Sequence, residues 1–309
     1  MNYQPGIHHI TVMAGDPQLN ANFYVNKLGM RMIKKSVNQD DPGTYHLFYG
    51  NEAATAGSSL TFFPWPRAVK GEPGTGEAVT VGFSVPENST DFWIQRLKEQ
   101  DIPHGDTFER FGYTILPFKD PDGLSLELVF DDTDISLDSS WKGTVEKEHA
   151  IKGFWGTTLK VTAEESTAQI LTDILGFEKT DSKENLSLYR TDAPIGHSVI
   201  IETADTAPGK NGRGIVHHVA FRAKNEDHLE ELRKKVMELG LSPTQIIDRH
   251  WFKSVYYQTR AGILFEMATE GPGYTVDEDP AHLGEQLILP PWLKSKRELI
   301  ENQLPEINL

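Results

Sequence analysis

Short runs of alternating apolar and polar residues recur along the chain, and each precedes a stretch whose apolar residues fall three and four apart. The first run is Ile7–Met13, IHHITVM. Asp16 followed by Pro17 marks a helix start, a capping side chain ahead of proline at the first helical position. Leu19, Phe23, Tyr24 and Leu28 would share one helical face, ended by Gly29. Strands are predicted over Tyr45–Tyr49 and Ser59–Phe63. The second unit opens with Ala78–Val85 and continues into a helix at Ser89–Gln100. The turn Asp120-Pro121-Asp122-Gly123 then leads into the strand LSLELVF. The third has Phe154–Val161, a helix at Glu164–Leu175 and strands at Ser187–Tyr189 and Ser198–Glu202. The fourth has His217–Arg222, a helix at Glu226–Leu239, and strands at Ser254–Gln258 and Ile263–Ala268. KLGM, ILGF and ELGL end three of the helices, and LSLELVF and GILFEMA end two of the units. Four units with one grammar predict an α+β fold of repeated βαβββ modules.

The chain has 309 residues, enough for two domains with their own cores. The expected division is 1–140 and 150–270, two modules each. The polar segment Asp131–Lys152 would link them, and a tail, 271–309, would pack back over the modules with a helix at Trp292–Gln303. Cysteine is absent, which excludes disulfides, thiolate ligands and a cysteine nucleophile. Thirty Lys and Arg against 45 Asp and Glu give a net charge of -15, a surface that repels nucleic acid and anionic membrane. No run approaches the ~20 apolar residues of a membrane span, and the short polar start lacks a signal-peptide core, which points to the cytoplasm. A homo-oligomer stays open.

Two His pairs, in GIHHITV and IVHHVAF, open units one and four. The second His of each, His9 and His218, begins the same alternation, so the two positions correspond. By strand alternation His8 and His217 should face the other side of the sheet. Glu266, between Phe265 and Met267 in the last strand of unit four, is costly in a core strand unless paired or metal-bound. Two imidazoles and one carboxylate with open positions suit non-haem Fe(II); manganese, zinc or nickel could also occupy them. Glu127 in LSLELVF is the counterpart of Glu266, but Thr80 and Gly156 stand where imidazoles would be needed. Units one and four should therefore share a live site, and units two and three a vestigial one.

These residues resemble the vicinal oxygen chelate superfamily, which comprises glyoxalases, bleomycin-resistance proteins and dioxygenases. GIHHITVMAGDPQ, TYHLFYGN, VHHVAF, FKSVYYQT, GILFEMATEGPGYTVDE and LGEQLILPPWL are similar to bacterial hydroquinone-type ring-cleaving dioxygenases over nearly the whole chain. The resemblance implies two curved mixed sheets with flanking helices, Fe(II) at His9, His218 and Glu266, and a small aromatic diol and O2 as substrates. Extradiol enzymes carry a Tyr about ten residues before the metal-binding Glu, which maps a catalytic role onto Tyr256. His250 and His46 are further acid/base candidates, and Phe48, Trp65, Trp251 and Phe252 are available to line a pocket. A glyoxalase-type isomerase or lyase is the competing enzyme, but no fourth ligand appears in units one or four. A quinone- or drug-binding resistance protein is the competing binder, a class that commonly loses the ligands retained here.

Overall fold

The computed structural model describes residues 3–131 and 141–309. Unit one contains β1 (Ile7–Ala14), α1 (Pro17–Ala21), β2 (Arg31–Asn38), β3 (Asp41–Gly50) and β4 (Ser59–Pro64). Unit two contains β5 (Glu77–Val85), α2 (Thr90–Glu99), β6 (Phe108–Arg110), β7 (Tyr113–Lys119) and β8 (Ser125–Phe130). Unit three contains β9 (Gly153–Val161), α3 (Glu165–Asp173), β10 (Glu178–Lys183), β11 (Leu186–Arg190) and β12 (Ser198–Thr203). Unit four contains β13 (Val216–Ala223), α4 (Glu226–Glu238), β14 (Ile247–Asp248), β15 (Lys253–Gln258) and β16 (Leu264–Thr269). The helix α5 (Arg297–Glu301) follows near the C-terminus.

The strands form two curved mixed sheets of eight. One runs β14-β15-β16-β13-β1-β4-β3-β2 and joins units one and four; the other runs β10-β11-β12-β9-β5-β8-β7-β6 and joins units two and three. Each sheet therefore takes half of its strands from each half of the chain. In both, the two opening strands meet antiparallel at the centre, β1 with β13 and β5 with β9. Helices bury one face each against the sheets; in α4 this face is Leu229, Leu232 and Val236. Gly29 and Gly176 stop their helical segments at φ 73°, where a side chain would be strained.

The first helical segment departs from expectation. After α1 it continues as a π-helical stretch, Asn22–Lys27, which shifts the buried stripe. Leu19 consequently faces solvent at 58% exposure, and Asn20 is buried, where its Oδ1 accepts from the Tyr49 hydroxyl at 2.9 Å. The expected tail helix at Trp292–Gln303 is a 3₁₀ turn, Pro291–Lys296, followed by α5. The tail lies across β2: Leu289, Leu293 and Ile300 pack on Val37, and the fully buried Lys34 ammonium is 2.7 Å from Asp277 and also pairs with Glu278. Of the expected linker, residues 132–140 lie outside the described residues.

Candidate metal centre

His9 on β1 pairs across the central ladder with Ala220 on β13, which pairs with Glu266 on β16; His218 pairs with Thr11. Three side chains distant in sequence thus converge on one face. His218 Nε2 lies 2.9 Å and His9 Nε2 3.1 Å from Glu266 Oε2, and the two Nε2 atoms are 3.3 Å apart. Glu266 is fully buried, with its Oε1 accepting from the Ser254 hydroxyl. Burial alone would raise the Glu266 carboxyl, but His9 and His218 outweigh it and hold the group well below the usual carboxylate range. Burial pushes His218 down despite Glu266, so its ring is neutral near pH 7.

His8 and His217 do not face the other side of the sheet as alternation predicted. The β1–β13 ladder carries two bulges. Pairing steps from Ile7↔Phe221 to His9↔Ala220, and from Thr11↔His218 to Val12↔Val216, so the extra residues are His8 and His217. A bulge residue is released from strict alternation. His8 Nδ1 is 2.9 Å from His9 Nδ1, and His217 Nδ1 is 2.8 Å from His218 Nδ1. His8 also bonds the Thr269 backbone. With one ring N–H of His8 given to that carbonyl, His8 Nδ1 accepts from His9, and an uncharged His9 ring then presents Nε2 as a lone pair. Outer partners of this kind fix the tautomer and aim of metal-binding imidazoles.

These residues fit a cation. Glu266 Oε2 makes no well-aligned hydrogen bond, although two imidazole nitrogens press against it at 2.9 and 3.1 Å. A buried ionised carboxylate is expensive unless positive charge sits beside it, and a bound cation supplies that charge. The separations of 2.9, 3.1 and 3.3 Å also fit. Three adjacent corners of an octahedron with ~2.1 Å bonds stand ~3.0 Å apart, and tetrahedral corners ~3.4 Å. Among the described residues, His9, His218 and Glu266 form a candidate metal site.

The site opens into a cavity of about 380 Å³, the size of a small-molecule pocket. Phe48, Trp65, Trp251 and Phe252 all line it, as does Phe63. The β2–β3 turn, Asn38–Asp40, forms one wall, clamped by Arg249, whose guanidinium meets both Asp40 carboxylate oxygens at 3.0 and 3.3 Å. Arg249 and this turn are site residues that sequence reasoning missed; the Arg beside His250 in DRHWFKS was the available signal.

Of the acid/base candidates, the structure brings two to the cavity. Tyr256, cross-strand from Glu266, lines it with its ring against His218, and burial followed by the Glu266 charge raises its phenol above the ordinary value. His46 also lines it, with Nε2 2.9 Å from Thr61 Oγ1, and burial, reinforced by His9 and His218, keeps the ring neutral. His250 is not among the lining residues. Its Nε2 is 2.9 Å from Asp277 Oδ2, in the network that anchors the tail.

The second sheet repeats this geometry without the ligands. Gly82 pairs with both Gly156 and Glu127, as Ala220 pairs with His9 and Glu266, and the bulge residues are Val79 and Trp155. Glu127 is held there by Arg110, whose nitrogens lie 3.1 and 2.5 Å from its two oxygens. A guanidinium supplies the positive charge at this position.

The family model described as Glyoxalase/Bleomycin resistance protein/Dioxygenase superfamily matches residues 6–128 and 157–267. The chain belongs to this superfamily. It is 38% identical over 300 residues to a Bacillus subtilis protein named as the ring-cleaving dioxygenase MhqO, covering 97% of this chain and 95% of the other. It is 31% identical over 304 residues to a chlorohydroquinone/hydroquinone 1,2-dioxygenase of Sphingobium indicum, covering 95% and 94%. A solved Bacillus subtilis structure titled as a dioxygenase superposes with a TM-score of 0.95 at 36% identity, covering 100% of this chain and 99% of that one. Among the described residues no helix is long and apolar enough to cross a membrane.

Proposed function

We propose that the protein is a ring-cleaving dioxygenase of extradiol type. It would open a hydroquinone- or catechol-type aromatic with O2 at one Fe(II) held by His9, His218 and Glu266. The observation that carries this reading is the buried triangle of two imidazole nitrogens and one carboxylate oxygen at an aromatic-lined cavity. The named activity of the Sphingobium relative supports the substrate class. When bound, iron(II) supplies open positions for a substrate oxygen and O2 and a path for electrons between them.

The chain's own groups do the rest. Phe48, Trp251 and Phe252 give an apolar lining against which an aromatic ring would pack and be oriented. Tyr256 keeps its proton at neutral pH, because burial and Glu266 raise its phenol, and donates a hydrogen bond to a substrate oxygen. His46, neutral and half-buried, is the imidazole available to accept a proton. The Asp40–Arg249 pair closes the wall contributed by units one and four. Adding hydroquinone, methylhydroquinone or catechol to anaerobically iron-loaded protein, then admitting air, should give oxygen uptake and a ring-opened acid with at least one of them. Iron-loaded protein that consumes no oxygen with any of the three contradicts the proposal.

A further inference from the structure

Part of the aromatic lining of the cavity is carried by a strained turn. Residues 249–252 join β14 to β15, and the Arg249 N–H closes the turn on the Phe252 carbonyl at 2.9 Å. His250 stands there at φ 74°, a left-handed conformation that is costly for a residue with a side chain and persists only where the surroundings hold it. Arg249, Trp251 and Phe252 line the cavity, and His250 does not. The tail supplies the hold. The Gly273 N–H donates to the Trp251 carbonyl at 2.8 Å. Asp277 takes the side chains: Oδ2 accepts from His250 Nε2 at 2.9 Å, Oδ2 and Oδ1 share the Trp251 Nε1–H at 3.0 and 3.2 Å, and Oδ1 accepts from the Lys34 ammonium at 2.7 Å. The same ammonium lies over the Trp251 ring, 5.3 Å from its centre. Half-burial alone would raise the Asp277 carboxyl, but Lys34, Trp251 and His250 outweigh it and hold the group below its ordinary value.

We propose that Asp277 is a positioning residue for the substrate ring: by fixing the Trp251 indole from behind, the tail completes the aromatic site without touching the metal site. The inference rests on the ring-cleaving reading above. Asp277 is not among the residues that line the cavity, so it acts on a bound ring only through the turn it holds. Trp251 is buried, with its ring edge-on to Phe48 at 5.9 Å between centres. Nε1 is its one polar side-chain atom, and Asp277 is the partner of that atom. Without this bond the indole is free to rotate about its side-chain torsions, and the surface against which a ring packs is no longer fixed. An amide at position 277 offers one acceptor oxygen in place of two and turns an NH2 toward a donor. Lys34 keeps Glu278 as its partner in that case, so the tail stays anchored.

The test is anaerobic calorimetric titration of iron-loaded protein with hydroquinone, methylhydroquinone and catechol. Wild type, Asp277→Asn, Trp251→Phe and the double variant are compared, with folding checked by circular dichroism and iron by elemental analysis. Asp277→Asn should bind the diol at least ~10-fold more weakly than wild type, with iron content unchanged. In the Trp251→Phe background, which has no Nε1–H to hold, the same substitution should change diol affinity by less than about 2-fold. A general loosening of the fold would weaken both backgrounds alike. If Asp277→Asn does not fold, Asp277→Glu, which keeps the charge beside Lys34 and displaces the carboxylate by a methylene, is read by the same comparison. Folded Asp277→Asn with wild-type diol affinity, an equal loss in both backgrounds, or loss of iron together with diol binding overturns the inference and leaves the ring-cleaving reading intact. Wild type that binds none of the three diols overturns both.

Discussion

Ser254 offers a test of whether the Glu266 carboxylate is oriented for the proposed ion or is merely buried. Its hydroxyl donates to Glu266 Oε1, leaving Oε2 turned toward His9 and His218. Ser254→Ala removes one oxygen atom from a fully buried position and leaves the ladder untouched. Two effects follow. Metal-free protein loses a hydrogen bond to a buried charge, about 1.5–3 kcal/mol of unfolding free energy. Metal affinity falls for a different reason, since the bond exists with or without the ion: the carboxylate is free to rotate away from the two nitrogens. Loss of an outer partner typically weakens binding about 10- to 100-fold, or about 1.4–2.7 kcal/mol. Urea unfolding of metal-free protein reads the first effect, and anaerobic competition against a chelator reads the second. Ser254→Thr, which keeps the hydroxyl, should restore affinity. The reasoning is refuted if folded Ser254→Ala holds metal as tightly as wild type.

His8→Ala should weaken metal binding, because His8 fixes the His9 tautomer through a 2.9 Å contact, and His8→Asn should recover part of the loss; the same chelator competition checks both. Tyr256→Phe should keep the metal and lower turnover by about 10²–10⁴-fold, measured as oxygen uptake. Tyr257→Phe should match wild type, since the Tyr257 hydroxyl is buried away from the cavity without a partner. The third expectation concerns pH. Burial, with Arg190 adding to it, pushes His197 down to about 3, against ~6.5 in the unfolded chain. Below 6.5 the unfolded chain binds a proton that the fold refuses, so this residue costs nothing above pH 6.5 and destabilises increasingly down to about 3. At pH 5 the cost is about 2 kcal/mol, so His197→Gln should lose that much less stability than wild type between pH 7 and 5 in urea unfolding.

The convergence of His9, His218 and Glu266 was legible because each announces itself locally: a doubled His at the same place in two units, and a Glu between apolar neighbours in a strand. The pairing of units one with four followed from Thr80 and Gly156, which cannot serve as ligands beside Glu127. The roles of His8 and His217 were not legible, because a bulge is a property of two strands in register and neither sequence alone records it. β2 escaped notice for a related reason. Its Lys34 is polar in sequence but fully buried, neutralised by Asp277 and Glu278 more than 240 positions away. The exposure of Leu19 depended on a π-helical turn that no spacing of apolar residues encodes. His250 looked chemical in sequence, and only the tail's Asp277 shows its structural engagement.

The most direct test of the account is iron content per chain in anaerobically loaded wild type and in His9→Ala, His218→Ala and Glu266→Gln, by elemental analysis after desalting. The account predicts one iron per chain in wild type and almost none in any of the three variants, with each still folded, because three ligands leave no redundancy. Full iron retained by any one folded variant would remove that residue from the centre and contradict the account.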